Sequence, residues 1–396
     1  MDLPTCELLL GPTGRSALVA AADLAPTNAT YLTCTDRLRK QFPAELARAA
    51  LDTILLRVKA TSKFTRANEM FFTREALEVS TGEIVSRYRA ERYAKYDSVA
   101  DFCCGIGGDA IGLGLAGVRV HAIDNDPIRV RFAAANLAAY GLADRAKVEV
   151  ADVLVDALPN VAAAFADPGR RAQGRRFLSP SDYLPPPADI QKRLPAHFPL
   201  GFKLAPGTAW SDLHAFDGEV EFISVDGELK ECVVWLGPLR TAARRATLLP
   251  GRHTLFTDTM PLAGEPVEIG AYIYDPDAAV TRAGLVPVLA EQIAAAPIDH
   301  TVQLLTSETL TLTPFATAFR VDAVLKWDSR EIGHYLRANN IGRITPIHRG
   351  AMPEAEAMVK RVKLAGEEHR FLLLTRGLGN PVVIVVERII ADYSRL

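Results

Sequence analysis

Cysteine is scarce in this chain, and none of the five residues stands in a Cys-x-x-Cys pair. Cys6, Cys34, Cys103, Cys104 and Cys232 are odd in number and lack metal-ligand spacing. Neither a disulfide framework nor a zinc site is expected, and a reducing cytoplasm is the expected setting. The start of the chain lacks a basic segment leading into an apolar one, and no run approaches the ~18 apolar residues that suggest a membrane span. An excess of either charge is missing too. The formal net charge of −2 argues against a nucleic-acid field over the whole surface and leaves local basic patches for any polyanion. What is present, 49% hydrophobic and 23% charged residues in 396, describes a soluble globular protein too long for one core. Two or three domains are expected.

Residues 1 to about 70 read as helical. Pro43 suits a first helical turn, and Leu46, Ala50, Leu51, Ile54, Leu55 and Val58 share one stripe at helical spacing. Between residues 37 and 66, eight basic residues (Arg37, Arg39, Lys40, Arg48, Arg57, Lys59, Lys63, Arg66) oppose only Glu45 and Asp52. Such an excess suits a solvated helix face or one turned to a polyanion. Ser80-Thr-Gly-Glu83 has capping-box spacing and predicts a helix running to about Tyr96.

From Ser98 the pattern alternates. A strand ends at Asp101, a helix capped by Asp109 ends near Gly117, and Val118–Ile123 reads as a strand. Asp126-Pro127 starts a helix that Gly141 closes. Lys147–Val150, Val161–Ala166 and Leu200–Leu204 are further strands, and the proline-rich stretch Pro180–Pro199 is an irregular loop. Glu219–Val225 and Glu228–Leu236, joined at Asp226-Gly227, form a hairpin. Residues 71–260 are therefore expected to hold an α/β, doubly wound parallel sheet ending in an antiparallel pair. Residues 261–396 change texture and read as a separate α+β domain. Strands are expected at Ile269–Tyr274, Phe371–Thr375 and Pro381–Val386, and helices at Pro276–Ala295 and Ser329–Asn339.

The stretch Val99-Ala-Asp-Phe-Cys-Cys-Gly-Ile-Gly-Gly-Asp109 is a strand, a glycine loop and a helix start, the geometry that presents bare backbone to a nucleotide-like ligand. Gly105-x-Gly107-x-x-Ala110, with Asp124 downstream, also satisfies a relaxed dinucleotide fingerprint. Carboxylates at successive strand ends favour a cationic cofactor over a diphosphate, although the NAD reading stays open. Asp101 stands where it can meet the ammonium of S-adenosylmethionine, Asp152 where it can accept from the adenine amine, and Asp167-Pro168 where a transferable methyl would emerge.

With these residues, positions 71–240 resemble a class I S-adenosylmethionine-dependent methyltransferase with a Rossmann-like fold. The texture is that of the trimethylguanosine-synthase-like branch, where an Asp-x-x-Cys-Gly-x-Gly-Gly-[Asp/Asn] loop occurs. The resemblance implies that Asp101, Gly105, Gly107 and Asp109 line the cofactor, that Asp124 takes the ribose hydroxyls and that Asp152 takes the adenine. Asp109 as a plain helix cap is the alternative. Met70-Phe-Phe-Thr-Arg-Glu75 resembles the segment that closes over such sites. Cys103 replaces the first glycine of the commoner signature, and Cys103 and Cys104 read as small buried residues.

Asp167-Pro-Gly-Arg170-Arg171-Ala-Gln-Gly-Arg175-Arg176 stands where amino-methylating relatives carry an [Asp/Asn/Ser]-Pro-Pro-aromatic loop. Asp167 and the Pro168 carbonyl are expected to orient the acceptor. Gly169 and Arg170 depart from the pattern; a guanidinium can stack on a base or bind phosphate, and Phe177 or Tyr183 is the candidate ring. Arg171, Arg175 and Arg176 are candidate RNA phosphate contacts. The region Gly201–Gly207 has no cysteine, so covalent catalysis is not expected. A sulfonium is already a good leaving group, and positioning should supply most of the rate. The run Gly270–Asp277, with Asn340–Arg343 and Arg349-Gly350, resembles the THUMP-like domain that follows such enzymes. Arg343, His348, Arg349, Lys360, Arg361 and Lys363 are a candidate basic face or an ordinary charged surface. The expected function is methyl transfer from S-adenosylmethionine to a base nitrogen of RNA (tRNA or rRNA), without metal or membrane. The alternatives are a methyltransferase for a small phosphorylated metabolite and a non-catalytic RNA-binding protein on a relic cofactor fold.

Overall fold

The computed structural model describes all residues except 173, 174, 178, 260, 261, 351–360, 363 and 391–396. Two compact units emerge, residues 1–218 with 232–241 and residues 219–231 with 242–396.

The first unit begins with four helices, α1 (Leu3–Leu10), α2 (Pro12–Asp23), α3 (Tyr31–Leu38) and α4 (Ala44–Ala60). Asp2 caps α1 by accepting from the Thr5 amide at 3.1 Å, and Pro43 is the N-cap of α4. The buried face of α4 differs from the expected stripe. It runs through Leu46, Ala47, Ala49, Ala50, Leu51, Thr53, Leu56 and Ala60, so Leu46, Ala50 and Leu51 of the expected stripe are buried, while Ile54 and Leu55 are half-buried and Val58 is exposed. Small residues let α1 and α2 approach closely, so alanine spacing, rather than the aliphatic residues alone, sets the contact face.

Two short helices follow, α5 (Arg74–Val79) and α6 (Glu83–Ala90). The expected capping box does not form. Ser80 ends α5, Gly82 is the N-cap of α6, and Glu83 turns back to the amide and hydroxyl of Thr65 (2.9 and 2.7 Å) and to the Tyr140 hydroxyl (2.7 Å). A carboxylate offered three tertiary donors gains more there than from one capping bond.

The sheet of this unit is built from β1 (Ser98–Phe102), β2 (Arg119–Asp124), β3 (Ala146–Val150) and β4 (Ala163–Ala166), with α7 (Gly108–Leu115) and α8 (Pro127–Ala139) between the first three. Asp126 caps α8 as expected, accepting from the Ile128 amide at 2.8 Å. Asp109 does not cap α7; the N-cap is Gly107. The short strands β5 (Arg171–Ala172) and β6 (Arg175–Arg176) pair with each other. The proline-rich stretch holds a helix, α9 (Pro187–Lys192), before β7 (Leu200–Leu204) and α10 (Trp210–His214). β8 (Glu219–Val225) and β9 (Glu228–Leu236) flank Asp226 and Gly227, whose φ of 51° and 78° suit a two-residue hairpin turn.

In the first unit the strand order is β3-β2-β1-β4-β7-β9, parallel except for β9. The order reverses direction between β1 and β4. In such a sheet the crevice beyond the strand carboxyl ends at that switch point is where ligands bind. Both strands are covered on both faces, which explains their nearly unbroken apolar sequence. Helix α7 lies tight on α6: a Cβ on Gly112 would come within 2.5 Å of the Ser86 backbone.

In the second unit β8 runs parallel to β10 (Arg244–Leu249), which pairs antiparallel with β11 (His253–Thr257). The seven-stranded sheet that follows contains β12 (Tyr272–Pro276), β13 (Ala296–Pro297), β14 (Leu305–Ser307), β15 (Ala316–Lys326), β16 (Ile341–His348), β17 (Glu368–Gly377) and β18 (Asn380–Arg388). Their order is β13-β14-β12-β15-β18-β17-β16. Strict alternation separates its faces. Leu372, Leu374, Val383 and Val385 pack with Ile332 and Leu336 of a helix at Ser329–Ala338, while Leu373, Ile384 and Val386 join Ile273 and Phe319 opposite. The expected long helix at 276–295 is two, α11 (Ala278–Ala283) and α12 (Val286–Gln292), because Gly284 takes a left-handed φ of 69° between them. The helix at Ser329–Ala338 is α13. No helix among the described residues is long and apolar enough to cross a membrane, and none of their His, Cys, Asp and Glu side chains group as a metal site.

Candidate functional site

The site forms where β1, β2 and β4 end. β1 carries Asp101 inside the sheet, in register with Ala122 of β2 and Phe165 of β4. The carboxylate is fully buried and no side chain among the described residues donates to it; the Ala110 amide and the Arg89 charge favour its ionised form. Burial, then the charges of Asp109 and Asp167, push its pKa well above the usual carboxylate range. An ionisable group kept this way costs stability, which points to a missing cationic partner.

The loop beyond β1 turns on three left-handed residues, Cys103 (φ 60°), Gly105 (φ 55°) and Gly107 (φ 84°). Cys103 takes this conformation with a side chain, at a cost of about 1–2 kcal/mol. A Cβ on Gly105 would meet nothing within 4 Å, whereas one on Gly107 would sit 3.3 Å from the Ala133 Cβ of α8. Gly105 thus borders open space, and Gly107 serves helix packing. Burial pushes the thiols of Cys103 and Cys104 well above their ordinary pKa, which disfavours the thiolate; Cys104 is buried as expected, whereas Cys103 is only half-buried.

Asp124 ends β2 and holds the loop from the other side. Its Oδ2 accepts from the Gly105 amide at 2.9 Å and its Oδ1 from the Asp126 amide at 3.0 Å. Burial raises its pKa, partly countered by these two bonds. Asp101, Gly105 and Asp124 therefore converge on one loop. Asp152, just beyond β3, accepts from the Leu154 amide at 2.8 Å, and its own amide donates to Asp156 Oδ2 at 2.8 Å. Arg193 clamps this turn by donating to the carbonyls of Leu154 and Asp156.

Asp109 turns into the protein. One oxygen pairs with Arg89 and the other accepts from the Thr81 hydroxyl at 3.2 Å. Arg89 lies over the Phe165 ring, 4.2 Å from its centroid.

Asp167 follows β4, its amide donating to the Phe102 carbonyl at 3.2 Å. Its Oδ2 accepts from Lys203 Nζ at 2.6 Å, and no bond to Oδ1 occurs among the described residues. Pro168 is buried, and Gly169 exchanges backbone bonds with Leu184 at 3.0 and 2.9 Å, which fixes the loop's exit. Arg170 is half-buried and its Nη1 has no partner among the described residues. Phe177 donates its amide to the Arg170 carbonyl at 2.8 Å and stays half-buried. Tyr183 is fully buried, its hydroxyl accepting from the Ala205 amide at 3.1 Å, so it belongs to the core and is not a stacking ring. The side chains of Arg171, Arg175 and Arg176 lie outside the described residues.

Sequence reasoning missed Lys203 and Asn136. Lys203 is a charge inside an apolar strand, and such a residue is almost never buried without a partner. Asn136, fully buried on α8, accepts from the Phe71 amide at 2.7 Å and donates to the carbonyls of Phe71 (3.1 Å) and Ile106 (2.9 Å). It ties the segment before α5 to the glycine loop.

Several basic residues serve structure. Arg57 donates to the Met70 carbonyl at 2.8 Å and lies over Phe71; Lys63 donates to the Leu77, Glu78 and Ser80 carbonyls that end α5. Arg66 reaches the Ala139 carbonyl. In the second unit Arg349 forms a bidentate pair with Asp275 at 2.8 and 2.6 Å, while Arg343, His348 and Arg361 are exposed. Lys360 and Lys363 lie outside the described residues.

Residues 96–168 match the family described as RNA cap guanine-N2 methyltransferase, residues 316–388 match a THUMP domain-like family, and residues 2–60 match a domain of unknown function. Two proteins of Mycobacterium tuberculosis, from strains CDC 1551 / Oshkosh and H37Rv, are each 32% identical over 337 residues, 82% of this chain and 92% of theirs. Both carry the description of an uncharacterized S-adenosylmethionine-dependent methyltransferase. A crystal structure from Porphyromonas gingivalis W83, of a protein assigned as a methyltransferase, matches with a TM-score of 0.76 over 95% of this chain and 99% of that one. At 18% identity this is a likeness of fold.

Proposed function

This chain belongs to the S-adenosylmethionine-dependent methyltransferases, and we propose that its methyl acceptor is a base nitrogen of RNA. The observation that carries the reading is Asp167-Pro168. These residues close the segment matching the RNA cap guanine-N2 family, and Asp167 keeps one oxygen without a bond among the described residues at the end of β4.

The residues at the strand ends suit the cofactor. Asp101 is a buried carboxylate to which no side chain among the described residues donates, and it takes the ammonium; Gly105 offers open space; Asp124 takes the ribose hydroxyls and Asp152 the adenine amine. Gly107 shapes the loop, and Asp109 acts behind it through Arg89. When bound, S-adenosylmethionine supplies an electrophilic methyl on a sulfonium leaving group. The chain's own residues then orient the acceptor. Asp167 Oδ1 and the Pro168 carbonyl accept hydrogen bonds from the amine and direct its lone pair, which is the kind of positioning that can supply most of a transfer rate. Arg170, with a guanidinium nitrogen buried and unpartnered among the described residues, contacts the base or its phosphate. Arg171, Arg175 and Arg176 hold the RNA backbone. In functional terms the chain divides into a helical part (1–70), the transferase (71–260) and the THUMP-like part (261–396).

The test is transfer of labelled methyl from S-adenosylmethionine to RNA extracted from cells lacking this protein, beside a small-molecule extract of the same cells. N-methylated bases in digested RNA are the expected product. Label confined to the small-molecule extract, or found on ribose or base carbon, overturns the reading.

A further inference from the structure

We infer that Lys203 is the positioning residue of the acceptor site, fixing one oxygen of Asp167 so that the other is presented to the acceptor. The inference rests on the reading above, in which Asp167 receives the amine.

Lys203 sits on β7, next to β4 in the sheet, with its side chain 5% exposed. An ammonium has three donors, and the cost of burying it falls only when each finds an acceptor. Here all three do: Asp167 Oδ2 at 2.6 Å, Thr81 Oγ1 at 2.8 Å and the Val79 carbonyl at 3.4 Å. Thr81 continues the chain of contacts by donating to Asp109, which pairs with Arg89. The carboxylate that meets the acceptor is thus anchored to the junction of α5 and α6, not merely to its own loop. Without Lys203 the Asp167 side chain could rotate, and both oxygens would compete for the acceptor amine.

A lysine that only stabilises β7 would affect folding and every activity alike. One that acts through Asp167 has a specific signature. Lys203→Met should lower kcat for methyl transfer by about 100-fold, the scale of a misplacement near 1 Å. The affinity for S-adenosylhomocysteine should stay within about threefold, because Lys203 touches none of the residues assigned to the cofactor. In an Asp167→Asn background the same substitution should add less than about threefold, since interacting residues are not additive. Lys203→Arg, which keeps the charge, should recover part of the kcat, and it keeps the question decidable if the methionine variant folds poorly.

A Lys203→Met kcat within threefold of native overturns the proposal, as does a full loss retained in the Asp167→Asn background. The readout is labelled methyl in RNA from cells lacking the protein. If native protein labels only the small-molecule extract, the RNA reading fails while the same cycle, scored on that extract, still decides the role of Lys203. Native protein that labels neither overturns both.

Discussion

Burial of Asp101, then the charges of Asp109 and Asp167, raise its pKa on folding by more than the Arg89 charge and the Ala110 amide lower it. The folded chain then holds that proton more tightly than the unfolded chain. Stability from this group is full below the ordinary carboxylate pKa and is lost as pH rises through the raised value. Asp101→Asn should therefore stabilise the ligand-free protein at neutral pH by about 1 kcal/mol, with the gain shrinking in acid, as read by thermal unfolding across pH. The same variant should lose about 10–100-fold in S-adenosylhomocysteine affinity, since a charged hydrogen bond is worth about 1.5–3 kcal/mol. Native affinity should tighten with rising pH as Asp101 ionises, and calorimetry should find that dependence gone in the variant. Asp109 behaves differently. Asp109→Asn leaves the buried Arg89 without its carboxylate and should cost about 3 kcal/mol in folding stability, measured by denaturant titration. At Cys103 the left-handed φ makes the prediction steric: Cys103→Gly should retain cofactor binding, whereas Cys103→Val should cost about 2 kcal/mol.

At the scale of elements, the site depends on what lies behind β1. Asn136 of α8 holds both backbone groups of Phe71 and the Ile106 carbonyl, coupling the segment before α5 to the glycine loop. Asn136→Leu keeps the helix and most of the volume but strands three backbone partners, the Ile106 carbonyl buried and the two groups of Phe71 partly so. A loss of about 2–4 kcal/mol in chemical denaturation and a weaker affinity for S-adenosylhomocysteine are expected together. The beginnings and ends of these elements show how far local signals reach. The Asp126-Pro127 cap and the Asp226-Gly227 turn were legible because their chemistry is complete within a few residues. Ser80–Glu83 had the right spacing and failed, because Thr65 and Tyr140 offered Glu83 better donors from far along the chain. β16 was unreadable for a different reason. Pro346 argues against a strand in the sequence, yet β16 runs through it, in register with Leu372, because it lies at the end of the sheet, where a missing N–H is tolerated.

For the whole molecule, a near-neutral charge means that an RNA acceptor, as proposed, would have to be held by local basic patches. Affinity for single-stranded RNA should fall with salt with a log–log slope near −0.7 per phosphate engaged. Four arginines at 170, 171, 175 and 176 imply a slope near −3, and Arg175→Ala should reduce its magnitude by about 0.7 in filter-binding titrations. The path of the chain also limits where it can be cut. Residues 219–231 belong to the second unit, where β8 pairs with β10 and packs on α11. A chain ended at residue 241 strips β8 of that neighbour and should aggregate, while one ended at 260 keeps β10 and β11 and should stay more soluble, as size-exclusion chromatography would show.

The sequence by itself determined the alternating sheet, the glycine loop and the carboxylates at the strand ends, because each is written in contiguous residues whose backbone needs are local. It also carried the family, through Asp101, Gly105, Gly107 and Asp167. Only the tertiary structure decided which carboxylates lack a side-chain donor and which are tied. Asp101 has no side-chain donor among the described residues, and Asp109 is paired because Arg89 arrives from another helix. Asp167 is anchored because Lys203, 36 residues further on, lies on the neighbouring strand. Burial and pairing are properties of distance in space, and residue spacing along the chain does not contain them.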